Sequence, residues 1–117
     1  MVTIKASKGI NEIKKGDKIK VDGRELEVDA HYVLIDHGSA KEMAIEVFDA
    51  KKDEDFQLRY FADNVENSIE FYELDEIVYN KVEIERVEWW FPALQLYLIN
   101  RILRTKVLYS ISYLSYY

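Results

Sequence analysis

The chain has no cysteine, one proline and four glycines in 117 residues. Without cysteine there is no disulfide framework, no thiol nucleophile and no thiolate metal ligand, a composition that fits a cytoplasmic protein. The glycines, Gly9, Gly16, Gly23 and Gly38, lie too far apart to form a phosphate-cradling loop, and no Gly-x-Ser-x-Gly element is present. Histidine is scarce as well. His31 and His37 are the only two, whereas a zinc site needs three or four convergent ligands, so no metal and no cofactor is expected. Long hydrophobic runs are also missing. The longest uncharged stretches, Trp89–Asn100 and Val107–Tyr117, hold 12 and 11 residues, against the ~20 that a membrane-crossing helix requires. The opening stretch, residues 1–15, lacks the apolar centre of a secretory signal.

What is present is 49% apolar and 32% charged, with nine tyrosines, the balance of a folded chain long enough for one core. Charge is divided unevenly. Residues 1–88 hold all 22 acidic side chains against 13 basic ones, a net charge of −9, while residues 89–117 hold Arg101, Arg104 and Lys106 and no acid. An acidic body repels polyanions, so no nucleic acid partner is expected.

Alternation of apolar and polar residues dominates the first 75 positions. Ile19 and Val21 precede Asp22-Gly23, and Leu26, Val28 and Ala30 follow, which predicts a hairpin closed by a type I′ turn. The second strand continues through Tyr32, Val33, Leu34 and Ile35, where loss of alternation predicts burial on both faces or a bulge. A turn at Asp36–Ser39 leads to a strand containing Met43, Ile45 and Val47. A charged connection, 49–55, leads to a strand with Phe56, Leu58 and Tyr60. A polar turn at 63–67 leads to Ile69, Phe71 and Glu73. Short, even spacing favours an antiparallel meander curling into a small barrel. From Asp75 to Trp90 both periods fit, and β-branched content favours strand.

The expected fold class is therefore mainly β: a small SH3-like barrel or meander over residues 1–90, followed at 91–117 by a helix and a short final strand that pack on the barrel or form an interface. Pro92 suits the first turn of that helix. Leu94, Leu96, Leu98, Ile99, Ile102, Leu103 and Val107 then fill one arc, with Asn100, Arg101 and Arg104 opposite, and Tyr109, Ile111 and Tyr113 alternate with serines.

Candidate chemistry is sparse. The acidic run Asp49, Asp53, Glu54, Asp55 lacks the spacing and central glycine of a calcium loop and reads as a solvated turn. Asp63, Glu66, Glu70, Glu73, Asp75 and Glu76 read as outer strand faces and turns rather than paired acid–base groups. A third possibility places His31, Asp36 and His37 at a barrel mouth as a small-molecule site.

Residues Ile13 to Val28, with Gly16-Asp17 and Asp22-Gly23, resemble the opening hairpin of SH3-like translation barrels, namely elongation factor P and its hypusine-bearing counterparts. His37-Gly-Ser-Ala-Lys41 and Val47-Phe-Asp-Ala-Lys-Lys52 are similar to the segment after the modified-lysine loop of the latter. The resemblance spans about 40 residues and implies a barrel. Asp36 stands where that family places its modified lysine, and Leu34-Ile35 replaces its Pro-Gly, so the resemblance does not extend to translation-factor chemistry.

The leading expectation is a non-enzymatic module that binds a protein partner or forms a homo-oligomer. Trp89, Trp90, Leu94, Leu98, Ile102 and Leu103 are its candidate interface residues. The alternative is peripheral membrane contact through the same basic, apolar segment.

Overall fold

A computed structural model describes residues 1–90 of the chain. They form one eight-stranded sheet: β1 (Thr3–Ala6), β2 (Lys18–Val21), β3 (Arg24–Asp36), β4 (Lys41–Asp49), β5 (Glu54–Phe61), β6 (Glu70–Asp75), β7 (Val78–Val82) and β8 (Arg86–Trp89). Spatial order is β1-β8-β2-β3-β4-β5-β6-β7. From β2 to β7 the chain is an antiparallel meander, whereas β8 returns to pair antiparallel with β2 and parallel with β1. The helix expected from Pro92 and the strand expected around Tyr109–Tyr113 lie outside the described residues.

The hairpin at Asp22-Gly23 forms as expected. Both residues have positive φ, 49° and 81°, the geometry of a type I′ turn that matches strand twist. Asp22 does further work there: its Oδ1 accepts the backbone N–H groups of Glu85 and Arg86 at 3.0 and 2.8 Å, holding the start of β8 against the turn.

In β3, the lost alternation reflects bulges rather than burial on both faces. The register with β4 shifts between Val28 and Ala30 and again between Val33 and Ile35, and both Val33 and Ile35 are exposed. The polar turn before β6 contains a single helical turn, α1 (Val65–Ser68). The stretch 75–90 is strand, as its β-branched residues suggested, but two strands rather than one.

Inward residues on successive strands converge on one core. Ile19, Leu26, Val28, Ile45, Val47, Leu58, Phe71, Val87 and Trp89 are buried in it, and Phe56 stacks on Phe71 at 5.1 Å. Val2 and Ile4 from one end of the sheet and Val82 and Ile84 from the other pack on the same cluster. The sheet is thus curled upon itself, yet no ladder joins β1 to β7, so it stays open.

The opposite face carries a polar lattice. Tyr32 donates to Glu46 (2.9 Å), Gln57 Nε2 donates to the Tyr32 hydroxyl (3.0 Å), and Arg59 Nε donates to Gln57 Oε1. The Arg59 guanidinium lies 4.0 Å from the Tyr72 ring centre, and Tyr72 and Lys81 both reach Glu70. Gln57 is only 2% exposed, and having both ends of its amide bonded removes the penalty for burying it.

Candidate functional site

A groove opens at the end of the sheet where β1 and β8 terminate. Because these strands run parallel, with Thr3 opposite Arg86 and Ala6 opposite Trp89, both end at the same end of the sheet. After β1 the chain forms a strap, Ser7–Gly9, and a 3-10 turn, Ile10–Glu12. That strap is one wall of the groove, and α1 contributes to another.

The groove has two arms. The first, about 620 Å³, is lined by Ile4, Ala6, Ile10, Met43, Val65 and Trp89, with Glu66 at its rim. The second, about 520 Å³, runs past Ile13, Ala30 and His31, with Lys14 and Lys15 at its rim. Asn11, Met43 and Tyr60 line both, so the arms adjoin. Val33 lies directly opposite Met43 on the same face of the β3–β4 ladder and is 45% exposed. The apolar floor therefore extends outward onto the projecting hairpin.

The strap is fastened by buried polar contacts. Lys8 Nζ meets Asp17 Oδ2 at 2.6 Å, both side chains being only 4% exposed. Asp17 Oδ2 also accepts the Lys14 backbone N–H at 3.1 Å. The indole N–H of Trp89 donates to the Lys8 carbonyl at 2.7 Å.

His31 lines the second arm, and Tyr60 lies where the two arms meet. The His31 Nδ1 lies 2.8 Å from the Ile13 carbonyl, which can only accept, so the proton of the uncharged ring sits on Nδ1. Its Nε2, 2.6 Å from the Tyr60 hydroxyl, is then the acceptor. Burial pushes Tyr60 up to about 12, so this phenol stays protonated and donating at neutral pH. Both ring nitrogens of His31 are thus taken up in contacts within the fold.

The other candidates are placed apart from this groove or outside the described residues. Asp36 and His37 sit at the tip of the β3–β4 hairpin, where the Asp36 carboxylate accepts the Gly38 N–H and His37 lies against Phe61 and 3.9 Å from Glu42. Five to six strand residues, ~3.3 Å each, separate them from His31, so the three are not brought into one site. Trp89 is 3% exposed and lines the first arm, whereas Trp90 lies 5.6 Å from the Lys20 ammonium. Leu94, Leu98, Ile102 and Leu103 lie outside the described residues. Among the described residues no group of three or more His, Asp and Glu is arranged to hold a metal ion, and no helix is long and apolar enough to cross a membrane.

The acidic run at the β4–β5 turn is partly structural, contrary to its reading as a solvated turn. Asp49 is buried. It takes Arg24 Nε at 2.8 Å on one oxygen and the N–H groups of Lys51 and Lys52 on the other, while Arg24 Nη2 reaches Glu54 at 2.8 Å. The Arg24 hydrogen bond holds the Asp49 carboxyl below its ordinary value; desolvation opposes this, and the two backbone N–H groups assist. A carboxyl depressed by folding adds stability above its unfolded-state pKa and loses that contribution as pH falls through the folded value. Asp49→Asn is therefore expected to destabilise the chain at neutral pH, with the gap to the parent narrowing once pH drops below about 4. Urea unfolding across a pH series checks this, and a gap of constant size down to the acid limb would contradict it.

Comparison of the chain with known protein families, with curated proteins and with solved structures finds no match. The functional reading rests on the groove.

Proposed function

We propose that this chain is a non-enzymatic interaction module, an SH3-like curled sheet that engages a protein partner or a second copy through the groove. The observation that carries the reading is the apolar floor running from Trp89 through Met43 to the exposed Val33. A water-facing valine continuous with a groove is where docking removes further apolar surface, at ~25 cal/mol per Å². Both His31 nitrogens and the Tyr60 hydroxyl are used in contacts within the fold, and the apolar floor is what supports a binding role.

Self-association is the first form to test. Light scattering coupled to size exclusion is expected to give a mass that rises above the monomer with concentration, and Val33→Glu is expected to restore the monomer. Val33 is half-exposed, so the variant should keep its stability to within about 0.5 kcal/mol. A parent that remains monomeric at every concentration would rule out self-association.

The second reading, peripheral membrane contact, is supported by Arg101, Arg104 and Lys106 standing within an acid-free, apolar segment. Flotation with phosphatidylserine-containing liposomes tests it. Protein that stays at the bottom of the gradient at low salt would sink the idea.

A further inference from the structure

The last described strand delivers the chain to the mouth of the groove. Trp89 lines the first arm, and the 27 residues that follow Trp90 begin beside it. Seventeen of those 27 are apolar, none is acidic, and three are basic. An apolar segment and an apolar groove, one residue apart along the chain, both gain by leaving water.

We propose that the first arm is a docking site for residues 91–117 of the same chain, which seat there in cis and leave the second arm and Val33 for an external partner. The inference rests on the reading of the groove as a docking surface, and it names that surface's resident occupant. Reach is no obstacle: 27 residues span up to ~90 Å when extended, at ~3.3–3.6 Å each. Tethering favours cis over trans, because a short connection gives an effective concentration in the millimolar range, far above that of a second copy in dilute solution.

Charge separates the two arms. The first is lined by Glu66 and by Lys8, whose charge is matched by Asp17 at 2.6 Å, which leaves it with an acidic residue to face a segment carrying +3. The second has Lys14 and Lys15 at its rim, which oppose Arg101, Arg104 and Lys106. The segment should therefore settle between Val65 and Trp89 and avoid His31. A partner drawn to the second arm would then meet an unfilled apolar floor flanked by lysines, and would do best with apolar side chains beside a carboxylate.

The absence of cysteine makes the test direct, since every thiol is an introduced one. Full-length chains carry one cysteine on the body and one at Leu94, Leu98, Ile102, Leu103 or Val107, and are treated with a short bismaleimide. Body positions are Ala62→Cys and, as an independent second choice, Glu66→Cys on the first arm, Lys15→Cys on the second and Lys52→Cys at the far turn. Intact mass reads whether coupling is within one chain or between two.

The expected result is intrachain coupling from Ala62 and Glu66, in a yield independent of concentration and at least several-fold above that from Lys15 or Lys52. Products of doubled mass alone would overturn docking in cis, although the groove would remain a docking surface. Equal yields from all four body positions, or no coupling at any, would overturn docking on this arm. A strict monomer in the Val33 experiment together with intrachain coupling here would separate the two ideas, removing self-association and keeping the cis contact.

Discussion

Asp17→Ala is expected to lower the unfolding free energy by about 3–5 kcal/mol, a large share of what a domain of this size possesses. The Lys8 ammonium is 2.6 Å from Asp17 and only 4% of either side chain reaches solvent. Removing the carboxylate leaves a buried cation with its counter-charge gone, and the desolvation of that cation is no longer offset. The Lys14 N–H loses its acceptor in the same step. The paired variant Lys8→Met with Asp17→Leu should recover much of the loss, because two apolar groups of similar volume carry no desolvation penalty. Equilibrium urea unfolding of the parent, the single and the double variant measures both effects. A single variant within 1 kcal/mol of the parent would mean that Lys8 finds water by extending along the strap, as long lysine side chains do elsewhere.

This ion pair also shows where sequence reading stops. Nothing local distinguishes Lys8 from Lys5 or Lys14, and its backbone is held by Trp89, 81 positions later, whose indole N–H donates to the Lys8 carbonyl. The same holds for β1. Thr3–Ala6 is four residues long and has no adjacent hairpin partner, so its pairing with β8 left no periodic trace. By contrast, Asp22-Gly23 dictates positive φ at two consecutive positions, and register follows from the turn itself, which is why the β2–β3 hairpin was readable. Alternation likewise exposed β4 and β5, since Ile45, Val47, Phe56 and Leu58 face one way and Glu46, Gln57 and Arg59 the other.

At the groove the legible part was smaller. His31 stood out as a rare residue, but its partners, the Ile13 carbonyl and Tyr60, are 18 and 29 positions away and reach it only through the curl of the sheet. Asp36 and His37 are near His31 along the chain, and an extended strand, even a bulged one, carries such neighbours apart rather than together. Val33 belongs to an apolar run that suggests burial on both faces or a bulge; the bulge after it and the projection of the hairpin leave it in water.

Trp89→Ala is expected to cost about 3–5 kcal/mol, the range for emptying a buried aromatic site. The residue joins three parts of the molecule: its ring completes the core cluster, its strand bridges β1 and β2, and its N–H fastens the strap. Trp89→Phe separates these contributions. Phenylalanine keeps most of the apolar area but cannot donate to the Lys8 carbonyl, so that acceptor is left unpaired at a cost of about 1–3 kcal/mol. The remainder of the alanine effect then measures packing. Because Trp89 also lines the first arm, Trp89→Phe should loosen the strap and lower intrachain coupling from Ala62 without changing the chain's response at Lys52. Urea unfolding fixes the two energies, and hydrogen exchange at the Ser7–Glu12 amides reads the strap. A phenylalanine variant with parental stability and unchanged exchange there would show that the indole hydrogen bond contributes nothing and that the wall of the groove is held by the Lys8–Asp17 pair alone.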